Sequence, residues 1–393
     1  MIVRQRRRIL TGLALLAAVG CGAGSVGVDY GRLDGTGTTA AGPRLRVRWS
    51  KPLADEFGGP YVPVERASAA LDPDQSRVYV GSSSRVLYAF DGGDGRILYS
   101  FKTEASIEAE PTLAAERNEL YVATAGGRVH ALRANDGKER FSIDVGAPVS
   151  QPGVLSEDAL YLVTDADGVF AISRKDGSTL WRYQREPRAG LKVAGHAGLL
   201  SSDQKIVTGF SDGSIVALAK GDGRALWVVD TTLDFADPSQ AEQGFVDVDT
   251  TPVQVGDIIY AASFMAGLYG LRAQDGVAQL RDAELTGVTS LSADQRTLLI
   301  ASAERGVLCY DLPNLSPRWT RKQGLRGAAN TVRVEGRTVY VTETRGALLA
   351  LALADGSEQG RLQSEHGFAA IPSLREGRGF ILGNAGVFYA FDY

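Results

Sequence analysis

Hydrophobic and polar positions along this chain follow one repeated pattern, clearest from Leu160 to Trp181, LYLVTDADGVFAISRKDGSTLW. An alternating apolar run leads into a Gly-containing turn. A second such run follows, then an Asp-Gly turn and an aromatic residue five positions after the aspartate. Asp and Gly tolerate the positive φ angles of tight turns, so the pattern predicts a hairpin followed by a further strand. One such unit cannot bury its own apolar faces, but copies packed side by side can.

The unit recurs from Arg44 onward, with its first apolar run beginning at Val78, Leu120, Leu160, Ile206, Ile259, Leu299, Val339 and Phe380. Asp-Gly turns at Asp94, Asp136, Asp176, Asp222, Asp275 and Asp355 keep a spacing of about 40 residues, apart from a longer gap before Asp275. One copy uses Pro313-Asn314 instead. A period of this size with strand-turn-strand content predicts an all-β, eight-bladed β-propeller of four-stranded antiparallel blades over residues 44–393, without helices of consequence. An inner strand is expected just before each run, with Pro111, Pro152, Pro252 and Pro372 at strand starts, where no ladder donor is needed. The aromatic position reads Tyr99, Phe141, Trp181, Trp227, Leu280 and Trp319, and Gly360 breaks it; packing between blades is the expected role. The eighth copy ends at Tyr393 without an outer strand, while Leu45–Trp49 is a strand without a partner. The N-terminal strand is therefore expected to complete the last blade and close the ring, covering an open edge.

The first residues differ in kind. Arg4, Arg6, Arg7 and Arg8 precede an apolar run from Ile9 to Gly20, shorter than the roughly 20 residues of a spanning helix, and Cys21 follows. Residues 1–20 read as a signal peptide. Ala18-Val19-Gly20-Cys21 resembles a bacterial lipobox, which implies lipidation at Cys21; a plain secretory signal is the alternative. Gly22 after the cysteine implies sorting to the outer membrane. Residues 21–43, rich in Gly, Thr and Ala, read as a lipidated flexible tether with a root-mean-square span of roughly 25 Å.

Composition adds two exclusions. The chain is 44% hydrophobic and 22% charged, an ordinary balance for a protein with a large core. Removing residues 1–20 takes away four arginines and no acid, leaving 38 basic against 46 acidic residues, which argues against a nucleic-acid partner. With Cys21 acylated, Cys309 stands alone and no intramolecular disulfide forms.

Candidate chemistry is sparse. His130, His196 and His366 lie in different repeats without metal-ligand spacing, and structural or surface roles are expected. Gly209-Phe210-Ser211-Asp212-Gly213 matches the nucleophile pattern GxSxG but overlies a hairpin turn of the preceding copy rather than a strand-to-helix turn. Asp165, Asp167, Asp212 and Asp222 lack a calcium-loop pattern and read as turn formers. No cofactor or metal is expected. The departure from the repeat is the long gap holding Thr231–Gly244 and then Phe245-Val246-Asp247-Val248-Asp249-Thr250-Thr251-Pro252. Excursions from a rigid scaffold are where binding tends to reside. If this segment is extended, Asp247 and Asp249 face one side.

Lipobox, tether, eight repeats of the form LYVxxxxGxVxALxxxDGxxxW and a long loop before Asp247-Val248-Asp249-Thr250-Thr251-Pro252 together resemble the BamB family, lipoprotein propellers of the β-barrel assembly machinery with pyrroloquinoline-quinone-type repeats. The resemblance implies a non-enzymatic scaffold on the periplasmic face of the outer membrane, bound to the POTRA domains of the barrel-inserting subunit. It also implies unfolded outer-membrane proteins as further partners. By position, Asp247 and Asp249 match the family's acidic motif. The second contact loop departs from the family pattern: Leu191 and Lys192 are the nearest equivalents of its leucine and arginine, and lysine offers a point charge where arginine offers a planar fork. Two other readings stay open: a periplasmic propeller binding another protein or a glycan, and a quinoprotein dehydrogenase. Those dehydrogenases resemble longer chains with a vicinal cysteine pair, and this sequence has no Cys-Cys.

Overall fold

The computed structural model describes residues 45–53, 62–187, 195–202, 204–235 and 244–393; the expected signal peptide and tether, Cys21, Leu191 and Lys192 lie outside them. The described residues form eight four-stranded antiparallel sheets, the blades of an eight-bladed β-propeller. Blade 3 shows the plan: strands Val154–Leu155, Ala159–Thr164, Gly168–Ser173 and Thr179–Gln184, hydrogen-bonded in chain order from the inside out. Blades 1 to 7 cover residues 70–102, 112–144, 154–184, 200–230, 253–282, 288–321 and 329–363, and blade 8 covers 373–392 with the N-terminal strand. Two short 3-10 turns, Ala115–Arg117 and Thr231–Asp234, are the helical elements among the described residues.

The middle strands of each blade are buried on both faces, because each face meets a different neighbour. Leu160 and Leu162 join the core shared with blade 2, whereas Tyr161 and Val163 join the core shared with blade 4. Such strands read as nearly continuous apolar runs for the same reason that doubly covered sheets do. Outer strands have one free face, and Thr179–Gln184 alternates between exposed and half-buried positions. Eight clusters of buried apolar side chains result, one at each junction between neighbouring blades.

The aromatic column docks blade on blade. Trp181 of blade 3 lies over Gly223 in the Asp-Gly turn of blade 4, where a Cβ would stand 2.4 Å from the indole. The indole N–H donates to the Lys220 carbonyl at 2.8 Å. Trp49, Tyr99, Phe141, Trp227 and Trp319 meet Gly95, Gly137, Gly177, Gly276 and Gly356 in the same way. Both breaks in the column have a cause. Leu280 precedes blade 6, whose turn carries Leu315 in the left-handed conformation (φ 52°) instead of glycine. Gly360 precedes blade 8, whose third strand Val387–Asp392 is followed by no such turn among the described residues.

The ring closes as expected. Strand Arg46–Pro52 pairs antiparallel with Val387–Asp392, from Arg46 opposite Asp392 to Pro52 opposite Val387, with a bulge between Val47 and Trp49. Trp49 packs within 6 Å of the rings of Phe90, Phe380 and Phe388, so one side chain joins blade 8 to blade 1. The Leu53 N–H donates to the Gly386 carbonyl at 2.7 Å just beyond the strand.

Candidate docking face

Antiparallel order within each blade puts two kinds of connection at the same end of the strands: the turns between second and third strands, and the links from each outer strand to the next blade's inner strand. The long excursion between blades 4 and 5 therefore shares a face with the turns at Asp165–Asp167 and Phe210–Asp212. Residues 236–243 of the excursion lie outside the described residues. Before them, Thr231–Asp234 forms a 3-10 turn whose Thr232 N–H donates to the Asp230 side chain at 2.9 Å. Leu233 on this turn is 80% exposed, the highest value among the exposed large hydrophobic residues described.

After them, Phe245–Pro252 runs between blades 4 and 5 and bonds to both. The Val248 N–H donates to the Phe210 carbonyl (3.1 Å) and the Asp247 carbonyl accepts from Phe264 N–H (2.9 Å). Val246 and Val248 are each 1% exposed, and a Cβ on Gly209 would stand 2.2 Å from the Val248 carbonyl oxygen, so the close approach requires glycine there. Asp247 and Asp249 line one recess of about 10 Å³, roughly the room of one water molecule, together with Asp165, His196 and Ser211. Asp247 is buried. Asp249 is partly exposed, although its Oδ1 is buried and has no hydrogen-bond partner among the described residues. Burial pushes the Asp249 carboxyl up to about 7; a backbone hydrogen bond and His196 offset part of this, and the Asp247 charge adds to it.

Around the recess sits a cluster of buried polar side chains. Asp167 takes the left-handed conformation (φ 58°) and accepts from the Ser211 N–H (2.9 Å) and the Ser211 hydroxyl (2.5 Å). His196 Nε2 lies 3.1 Å from Asp167 Oδ1, and its Nδ1 lies 2.9 Å from the Ala197 carbonyl. Burial works to raise the Asp167 carboxyl, but the hydrogen bonds from His196 and Ser211 outweigh it and hold the group below the usual carboxylate range. Ser211 sits on a strand-to-strand turn and bonds to the aspartate rather than to the histidine, so the GxSxG match does not form a Ser-His relay. His130 is also buried, with Nδ1 2.7 Å from Glu139 and Nε2 2.9 Å from Glu104. Among the described residues no group of three His, Cys, Asp or Glu side chains could hold a metal ion.

Asp247 and Asp249 thus come together in one recess, whereas Leu191 and Lys192 lie outside the described residues. Sequence reasoning treated Asp167 as a turn former and His196 as structural, and missed that both adjoin the acidic motif. No spacing signal links them, since Asp167 and His196 lie 80 and 51 positions before Asp247.

Fold and repeat define the class: an eight-bladed propeller of quinone-type repeats with an acidic segment threaded between two blades. The chain belongs to the family of the outer membrane protein assembly factor BamB, whose sequence model matches residues 107–321. Among its relatives, the Shewanella oneidensis assembly factor BamB is 21% identical over 355 residues, covering 86% of this chain and 87% of that one. The Escherichia coli BamB is 22% identical, covering 70% and 82%. The crystal structure of BamB from Moraxella catarrhalis superimposes with a TM-score of 0.74 at 19% identity, covering 89% of this chain and all of that chain. A quinohemoprotein alcohol dehydrogenase from Pseudomonas putida shares the fold at a TM-score of 0.65 and 11% identity.

Proposed function

We propose that the chain is a non-enzymatic scaffold lipoprotein, anchored through Cys21 to the periplasmic face of the outer membrane. It assists barrel insertion by binding the POTRA domains of the barrel-inserting subunit. Leu191, Lys192, Asp247 and Asp249 are its contact residues. The observation that carries this reading is Asp249: a carboxylate with one buried oxygen, beside a second acid, on a segment braced by two blades. An unsatisfied buried oxygen is costly, and a cationic group of a partner seated over the recess would favour the charged form of this carboxylate. Leu180, Leu226 and Val228, exposed on the outer strands of blades 3 and 4, support a second contact with extended segments of unfolded barrel precursors.

The test is capture of the barrel-inserting subunit by wild type, Asp249→Asn and Asp249→Arg. Asp249 is the better target because reversing the charge of buried Asp247 would disturb the junction of blades 4 and 5. Recovery is expected to fall with Asp249→Asn and to be lost with Asp249→Arg. Recovery equal to wild type from both folded variants would remove the assigned interface.

A further inference from the structure

We infer that the acidic segment and the apolar side chains bordering it, Leu233, Phe245, Phe264 and Met265, form one mixed docking patch, which fits a partner surface that sets a cationic side chain among apolar ones; this rests on the docking reading above. A single exposed leucine is ordinary on a protein surface. Leu233 differs because the turn that carries it is fastened at both ends. At its start, the Thr231 hydroxyl donates to the Gly213 carbonyl at 2.7 Å, and the Asp230 side chain accepts from the Thr232 N–H and hydroxyl at 2.9 and 2.6 Å. At its end, Asp234 Oδ2 accepts from the Tyr269 hydroxyl at 2.7 Å, and the Asp234 carbonyl accepts from the Arg281 guanidinium at 3.3 Å. Thr231 is buried, and Phe235 packs on the core between blades 4 and 5. The turn is thus built into both blades, so little conformational freedom is lost when a partner covers Leu233.

The acidic segment borders this turn and a second apolar group. A Cβ on Gly213 would stand 2.8 Å from the Thr232 methyl and 3.2 Å from the Val246 carbonyl oxygen, so turn and segment meet over that glycine. The segment also meets the turn between the second and third strands of blade 5, where the Phe264 N–H donates to the Asp247 carbonyl. The Phe245 and Phe264 rings stand edge to face at 5.8 Å and 65°, and the Phe245 N–H donates to the Met265 sulfur at 3.1 Å. All three side chains are half-buried rather than sealed in the core. Aromatic residues and methionine are the types enriched in protein interfaces. Asp249, partly exposed on the same segment, supplies the charge. A partner cation seated over its recess would be shielded from water by the apolar contacts around it, and an ion pair so enclosed is screened less by salt than an open one.

The experiment compares the mature wild type with Leu233→Ser, Leu233→Met, Met265→Ser and Asp249→Asn. Affinity for the purified POTRA domains is measured by titration calorimetry at low and at high salt. Leu233→Ser and Met265→Ser are each expected to weaken binding about tenfold at both salt concentrations and to make the heat-capacity change of binding less negative. Leu233→Met keeps an apolar side chain of similar volume and should bind as wild type. The loss in Asp249→Asn is expected to shrink at high salt. Melting temperatures equal to wild type in the Leu233 variants, expected for an exposed side chain, separate loss of contact from loss of fold. Wild-type affinity in either serine variant, with loss in Asp249→Asn, overturns the patch but leaves the docking reading standing. An equal loss in Leu233→Ser and Leu233→Met overturns the apolar role of that residue. Wild-type affinity in Asp249→Asn and in both serine variants removes the docking reading and the patch with it.

Discussion

At the scale of single residues, the repeat is held by a contact between two columns of the sequence rather than by either alone. Each aromatic residue of the outer strand needs a glycine in the next blade's turn, because the indole or phenyl ring occupies the space of a Cβ. Trp181→Ala removes a ring and an N–H bond from a blade junction and is expected to cost about 3–5 kcal/mol. Gly223→Ala places a methyl against the indole at a positive φ and is expected to cost about 1–3 kcal/mol. The double variant should be more stable than the two costs added together, since the clash disappears with the ring; urea denaturation of the four proteins measures this, and simple additivity would refute the contact. The aromatic column was legible from the repeats, but its glycine partner was not. Aligning copies shows what recurs at each position, not which position of one copy touches which position of the next. The same limit hid the reason for Leu280 and Gly360, whose missing aromatics answer to changes in the following blade.

At the scale of elements, closure depends on one short strand that carries the chain's first described residues. Strand Arg46–Pro52 gives blade 8 its outer edge, and Trp49 gives the junction with blade 1 its aromatic centre. A protein lacking residues 46–52 is expected to expose the edge of Val387–Asp392 and to self-associate through it. Size-exclusion chromatography with light scattering checks this, and a monomer with unchanged melting temperature would show that the strand is dispensable. The closing strand was legible because a missing element at one end matched an extra one at the other. The path of Phe245–Pro252 was only half legible. Alternation of Val and Asp gave the side on which the acids lie, but not that this side meets the turns of blades 3 and 4 in a closed recess. That is why buried Asp247 reads in sequence as an acid offered to a partner, although Asp249 is the more accessible of the two.

At the scale of the whole molecule, carboxyls raised by burial set one limb of the pH dependence, Asp249 and Glu110 foremost, with Glu65 and Asp72 raised in the same direction. Burial raises Asp249 to about 7, and burial likewise raises Glu110 to about 7 against the opposing pull of Arg333. With pKa values above those of the unfolded chain, the native state holds more protons between about pH 4 and 7, so stability falls as pH rises through that window. Carboxyls held low, Asp167 and Glu358 among them, act in the opposite sense and lose their contribution as pH falls through their folded pKa values. Asp249→Asn is therefore expected to stabilise the protein by about 1–3 kcal/mol at pH 8 and by little at pH 5. Melting temperatures across that range check it, and an equal shift at both pH values would contradict the assignment.

On the proposed docking, the same carboxyl would tie stability to binding. A cationic group of the partner seated at Asp249 would lower its pKa, so association at pH 7 should release a fraction of a proton, and more at pH 6, where a larger share of Asp249 is protonated. Apparent binding enthalpies should then differ between phosphate and imidazole, both of which buffer across this range and whose ionisation heats differ. The difference should grow from pH 7 to pH 6 and vanish in Asp249→Asn. A wild-type enthalpy independent of buffer would mean that the partner's cation does not reach this carboxylate. Binding would then have to rest on the contacts proposed for residues 191 and 192, and the stability lost by keeping an acid buried at Asp249 would need another explanation.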